Sequence, residues 1–309
     1  MEWKINKTTF ESDEINSGLV VSPWSGHRQF AYDLVEFLKP ERIVELGTHY
    51  GCSFFAFLQA CKDFDLNTEV VAIDSWQGDE EAGFYGEDVF ATVNKTLDEK
   101  FSKQNYRTIR KFFCDAVDDI EDESVDILHI DGLHTYEAVS QDFNQYLPKL
   151  KKSGVILFHD VASKLGYGTN TFWKEIQEKY PYTFTFEHSW GLGILFPYSE
   201  EEYNKFLSIN FRDKLLIYEY YTENNLHMIQ LKDHAKMVDE RDKTIASMTE
   251  MIDARDEEIK SNEAMIDERD KAIASMTAMI DERDKTIASM TKMIDEKDAL
   301  MKEMAESKN

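Results

Sequence analysis

Three cysteines in 309 residues, none of them in a C-x-x-C pair, exclude a disulfide framework and a thiolate zinc cage. Cys52, Cys61 and Cys114 lie in or beside apolar runs, which suits reduced, packed thiols. From residue 232 onward there is no glycine, no proline and no aromatic residue, so that part has the makings of a rod, while residues 1 to about 200 form a globular domain. Positive charge is scarce: 35 Lys and Arg against 60 Asp and Glu leave a net charge of −25. That balance excludes nucleic-acid binding through phosphates, and no basic cluster offers a lipid anchor. No apolar run reaches membrane-spanning length, and Met1-Glu-Trp-Lys-Ile-Asn6 lacks a signal-peptide pattern. The expected location is the cytoplasm, with any attachment to the inner membrane made through a partner.

What is present is organised around Arg42-Ile-Val-Glu-Leu-Gly-Thr-His-Tyr-Gly-Cys-Ser53. A buried-type strand runs into Glu45 and a turn containing Gly47 and Gly51, and the apolar segment Phe54–Cys61 follows at helical length. Side chains at those glycines would strain the turn or hold a ligand off the main chain. The helix N-terminus behind it offers free N–H groups to an anion. A glycine turn between strand and helix is also common βα geometry, so the motif does not identify a function by itself.

Taken in order, Pro23-Trp-Ser-Gly-His27 opens a helix from Arg28 to Leu38, with Trp24 and His27 either packing or bordering a site. Glu69–Asp74 reads as a second strand ending in a carboxylate that can accept both ribose hydroxyls or cap a helix. Residues 75–90, rich in glycine, acids and aromatics, read as a lid loop. A helix from about Val89 to Ser102 leads to a third strand, Arg107–Cys114, and then Asp115-Ala116. Strand four, Val125–Asp131, runs into Gly132-Leu-His134-Thr-Tyr136 and a helix to Tyr146. Strand five, Gly154–Asp160, ends in His159-Asp160, a helix spans Phe172–Lys179, and 182–187 pairs with 190–196 as an antiparallel hairpin. Alternation of strand and helix with a closing hairpin predicts an α/β fold, a doubly wound Rossmann-like sheet with an antiparallel edge hairpin, followed by a long α-helical coiled coil.

Glu45-x-Gly47-x-x-x-Gly51, Asp74, Asp115-Ala116, Asp131-Gly-x-His134-x-Tyr136 and Gly154-Val-Ile-Leu-Phe-His159-Asp160 together resemble a class I S-adenosylmethionine-dependent methyltransferase, of the branch often fused to bacterial polysaccharide glycosyltransferases. The resemblance covers about Ser22 to Pro197, including the lid. It implies that Gly47, Thr48, His49, Tyr50 and Gly51 approach the methionine part of the cofactor, with Glu45 and Ser53 on its amino and carboxylate groups. Asp74, with Ser75 and Trp76 beside it, would take the ribose, and Asp115 with Ala116 the adenine. A nicotinamide enzyme is the nearest competitor, but the full G-x-G-x-x-G is missing and the hairpin suits a methyltransferase. Asp131-x-x-His134 with His159-Asp160 is also similar to metal-dependent sugar O-methyltransferases. That similarity implies Mg²⁺ on Asp131 and Asp160 and His134 as the base, whose imidazole suits proton transfer near neutrality.

From about residue 233 a 14-residue unit repeats, opening at Met237, Met251, Met265 and Met279. Ile245, Ile252, Ile259, Ile266, Ile273, Ile280, Ile287 and Ile294 take heptad a positions. The d positions alternate between methionine and Arg255, Arg269 or Arg283, with Asn262 in the odd copy. Isoleucine at a without leucine at d leaves dimer and trimer open, and trimer is preferred. The expected organisation is 1–200 methyltransferase domain, 201–232 helical linker and 233–309 coiled coil. The expected activity is O-methylation of a sugar of a bacterial surface polysaccharide, with homo-oligomerisation through the tail and a polysaccharide glycosyltransferase as partner. The rival readings are a methyltransferase-fold scaffold without chemistry and a small-molecule O-methyltransferase of secondary metabolism.

Overall fold

The computed structural model describes residues 2–81 and 83–306. The chain divides into two compact units, Met1–Ile229 and Gln230–Asn309. In the first, β1 (Arg42–Leu46) is followed by α2 (Cys52–Asp63), β2 (Glu69–Asp74) and a two-residue hairpin of β3 (Gly78–Asp79) with β4 (Gly83–Phe84). Next come α3 (Glu87–Thr96), β5 (Tyr106–Arg110), the short α4 (Phe113–Ala116), β6 (Val125–Ile130) and α5 (Tyr136–Tyr146). β7 (Leu150–His159), α6 (Gly168–Lys179), β8 (Thr183–Phe186), β9 (Leu192–Leu195) and α7 (Glu200–Ser208) complete it, and α1 (Arg28–Leu38) precedes β1. The seven-stranded sheet runs β5-β2-β1-β6-β7-β9-β8. Its first five strands are parallel, while β9 is antiparallel to both β7 and β8.

Both faces of the central strands are apolar because helices cover both. Ile43, Val70, Ile127 and Val155 face the layer built by α1, α2 and α3, whereas Val44, Val71, Leu128 and Ile156 face α5 and α6. Strand order reverses between β1 and β6, and their register, Leu46 opposite Ile130, brings the turn after β1 against the loop after β6. A ligand crevice in an open α/β sheet lies at such a reversal.

Three expectations need correction. The third strand stops at Arg110, and Phe113–Ala116 turns into a short helix in place of the strand's last residues. The helix expected from Val89 starts at Glu87, behind Gly86, and closes in a π-helical turn, Leu97–Phe101. Residues 201–232 are helical but are no mere linker, because Phe206, Phe211 and Tyr218 are buried in the core of the first unit. The Trp3 indole donates to the Tyr218 hydroxyl, which in turn donates to Asp33 on α1, so a distant partner decides that burial.

The helix α8 (Phe211–Glu306) begins in the first unit, and the described residues of the second unit belong to it. Its isoleucines at seven-residue spacing, Ile245 to Ile294, are 49–58 % exposed, as are its methionines at similar levels. No described helix is long and apolar enough to cross a membrane.

Candidate active site

The turn after β1 is fixed by backbone geometry that only glycine permits at its first position. Gly47 has φ +92°, and a Cβ there would lie 1.9 Å from the Asp131 carbonyl oxygen. Gly51 has φ +84°, and its Cβ would meet the Phe55 ring at 2.6 Å. Asp74, at the end of β2, locks the turn: one carboxylate oxygen accepts from the amides of Thr48 (2.9 Å) and His49 (2.8 Å), the other from the Trp76 amide (2.7 Å). Asp74, expected on a ribose, lines the pocket and also pins the turn that forms this wall of it. The Trp76 indole donates to the His49 carbonyl and its ring packs on Phe90, so Trp76 supports the turn from behind. Gly47, Thr48, His49, Tyr50, Ser53, Asp74 and Ser75 line one half of a cavity of about 960 Å³, large enough for a cofactor and an acceptor together.

The other half carries the acids and imidazoles. Asp131 follows β6, His159 ends β7, Asp160 comes next with φ +63°, and His134 sits between β6 and α5. His134 Nε2 is 2.7 Å from Asp160 and 3.9 Å from Asp131. Its Nδ1 and its backbone N–H both donate to Glu81 of the lid, at 2.8 and 3.0 Å. Tyr167 stacks on its ring at 4.4 Å and 15°. Burial opposes a charge on His134, but Asp131 and Asp160 outweigh it and push its pKa up to about 11. His159, buried between Asp131 (3.1 Å) and Asp160 (2.9 Å), is likewise raised to about 10, against the effect of its burial. Asp131 is held well below the usual carboxylate range despite its burial, chiefly by His159 and His134. The near-neutral imidazole expected at position 134 is therefore an imidazolium while both acids face it.

Asp131, His134 and Asp160 each bring one donor atom within 4.8 Å of the others, a group able to hold a cation. One Asp160 oxygen is buried and meets no hydrogen-bond donor among the described residues, so it has a free lone pair for a ligand. Two carboxylates, one of them with an unsatisfied oxygen, together with an imidazole are donor types that a divalent cation accepts.

Five residues expected in the site do not line the pocket: Gly51 and Trp76, which shape and support the turn, and Glu45, Asp115 and Ala116. Glu45 is buried in β1, outside the pocket lining, and accepts from His129 Nδ1 at 2.9 Å; Trp24 donates to Nε2 of the same ring at 2.9 Å, which fixes its tautomer. Asp115 is exposed and Ala116 is buried in core, and neither lines the pocket, although Phe112, Phe113 and Cys114 do. The sequence reading passed over Glu81, His129, Tyr167 and Asp142. His129 could have been found from strand alternation, since it points to the same side as Asp131 two residues on. Glu81 and Tyr167 reach His134 across loops, where no periodicity operates.

A mostly parallel sheet with a reversed edge strand carries a glycine turn at the strand-order reversal and acids at the strand ends, which is where an open α/β sheet places a ligand crevice. Residues 44–161 match the family model for a methyltransferase domain. Among curated proteins, the chain is 47% identical over 178 residues to the uncharacterized protein y4gI of Sinorhizobium fredii (strain NBRC 101917 / NGR234), a match covering 57% of this chain and 19% of that protein. The chain thus spans about a fifth of that relative's length. Among solved structures it is similar to the SAH-bound Podospora anserina methyltransferase PaMTH1 (TM-score 0.43, 16% identity, 55% of this chain and 76% of that one). It is also similar to the O-methyltransferase TomG from Streptomyces achromogenes, involved in tomaymycin synthesis and solved in complex with SAM (TM-score 0.42, 12% identity, 62% and 90%).

Proposed function

We propose that this chain is an S-adenosylmethionine-dependent O-methyltransferase whose acceptor is a hydroxyl of a bacterial surface-polysaccharide sugar. The observation that carries the reading is the facing arrangement within one pocket: the Gly47–Gly51 turn on one wall, and His134 with Asp131 and Asp160 on the other. Gly47 and Asp74 shape the cofactor wall, letting the methionine part approach backbone N–H groups. His134 is the group that takes the acceptor's proton as oxygen attacks the sulfonium methyl. It becomes available as a base once Asp131 and Asp160 are engaged elsewhere, because those two carboxylates keep its proton in place. Mg²⁺ at these carboxylates would supply positive charge that lowers the pKa of a bound hydroxyl. Glu81, on Nδ1, holds the ring so that Nε2 faces the two acids.

The tail supports a second part of the proposal. An isoleucine at every seventh residue has no purpose on a solitary helix, so copies of this chain associate there as a parallel trimeric coiled coil. Near-identical repeats suit a spacer between the methyltransferase and a glycosyltransferase that extends the glycan, with the enzyme in the cytoplasm and held at the inner membrane through that partner. The test compares methyl transfer to pyranosides with transfer to phenols and other small hydroxyl compounds, with and without EDTA. Transfer to phenols alone assigns the enzyme to small-molecule metabolism, and full activity of a metal-free preparation in EDTA removes Mg²⁺.

A further inference from the structure

Asp142 is an acidic side chain of the pocket that lies outside both the Gly47 turn and the His134 cluster. Asp142, on α5 one turn beyond Ala138, lines the cavity, is 7 % exposed, and accepts no hydrogen bond from any described residue. Burial alone pushes its carboxyl up to about 7. A carboxylate withdrawn from water without a donor is unfavourable, so a partner that brings an N–H into the pocket satisfies it.

The walls around it say what shape that partner has. A Cβ on Gly132 would lie 2.5 Å from the Phe113 ring and 3.3 Å from an Asp142 oxygen, so glycine there keeps the approach between ring and carboxylate open. Phe113 is held in place through its carbonyl, which accepts from the Tyr146 hydroxyl at 2.8 Å. With Leu133 and Phe112 also lining this end, the space offers apolar faces beside the Asp142 carboxylate and the Gln141 side chain, which suits a flat heterocycle bearing an amino group. Asp115, expected to meet the adenine amine, is exposed and outside the lining.

We propose that Asp142 reads the exocyclic amino group of the cofactor's adenine. The proposal rests on the reading of this pocket as an S-adenosylmethionine site. An amine donates to the carboxylate, whereas the carbonyl oxygen of hypoxanthine would be repelled by it, so the residue discriminates between the two bases.

Calorimetric titration of the full chain with S-adenosylhomocysteine and with S-inosylhomocysteine tests this. The intact chain is expected to prefer the adenine ligand, and Asp142→Asn to weaken it by roughly tenfold or more while narrowing or reversing the preference, because the new amide can donate to a carbonyl. Asp142→Ala, with no acceptor, serves as a second variant in which the preference collapses toward unity, and Asp115→Ala should bind as the intact chain does. Unchanged affinity and unchanged preference in the folded Asp142 variants would overturn the assignment while leaving the cofactor reading intact. Failure of the intact chain to bind either ligand would overturn both.

Discussion

His134 is held on three sides: Glu81 at Nδ1, Asp160 at Nε2 and the Tyr167 ring against its face. His134→Ala should lower the rate constant by on the order of 10²–10⁴ with S-adenosylhomocysteine affinity nearly unchanged, as loss of a general base requires. Rates and calorimetry together check this; a parallel fall in affinity would make the residue structural. Glu81→Gln keeps an acceptor for the Nδ1–H but loses the charge, so a milder fall, roughly tenfold, is expected in turnover, with activity at Glu81→Ala lower still. Equal activity of all three proteins would detach the lid from the base. The positions of Asp131, His159 and Asp160 were legible in the sequence because each ends a strand or directly follows one, and His134 lies three residues beyond Asp131 in the loop before α5. Glu45 was misread because strand position alone does not tell whether a carboxylate at a glycine turn faces the cofactor or a buried imidazole, here His129.

At the scale of elements, α1 was legible to the residue, since Arg28 to Leu38 carries an apolar stripe with Pro40 behind it, and the sheet and its reversed edge followed from alternation. The packing of α7 and the start of α8 was not legible. It depends on Trp3, Asp33 and Tyr218, which are brought together from sequence separations no local pattern spans. That contact makes a pH prediction. Burial raises the Asp33 carboxyl from 3.8 to about 6, with the hydrogen bonds from Tyr218 and Asn6 only partly opposing it. The folded state thus holds this proton more tightly than the unfolded chain, so Asp33 costs stability as pH rises from 3.8 through about 6. Relative to Asp33→Asn, the wild type should lose about 2–3 kcal/mol over that window. Denaturant unfolding of both proteins across the range measures it, and parallel curves would contradict it. Gly47→Ala acts on another element junction: with φ +92° and the Asp131 carbonyl 1.9 Å from the new Cβ, it should cost more than the roughly 1–3 kcal/mol of backbone strain alone and abolish cofactor binding.

For the whole molecule, two kinds of sequence meet in one chain. Part of the first unit matches a methyltransferase-domain model, and the described residues of the second are helical repeats whose apolar residues are half exposed. Arginine at alternate d positions weakens a seam unless acids of a neighbouring helix pair with it, so light scattering of the full chain should show a trimer whose stability falls with salt. A monomer would contradict the coiled coil. Deleting residues 265–278 removes one full repeat in register; oligomer mass should be retained, and shortened product glycans would support a spacer that sets chain length. The central claim is transfer of a methyl group to a sugar hydroxyl in the His134 pocket. Its most direct measurement is NMR of the full chain incubated with ¹³C-methyl-labelled S-adenosylmethionine, Mg²⁺ and a panel of methyl pyranosides, run beside His134→Ala. The account predicts a new O-methyl resonance on one sugar, matched by S-adenosylhomocysteine and absent with the variant. Binding of the cofactor with label passing to phenols alone, or to no hydroxyl at all, would contradict it.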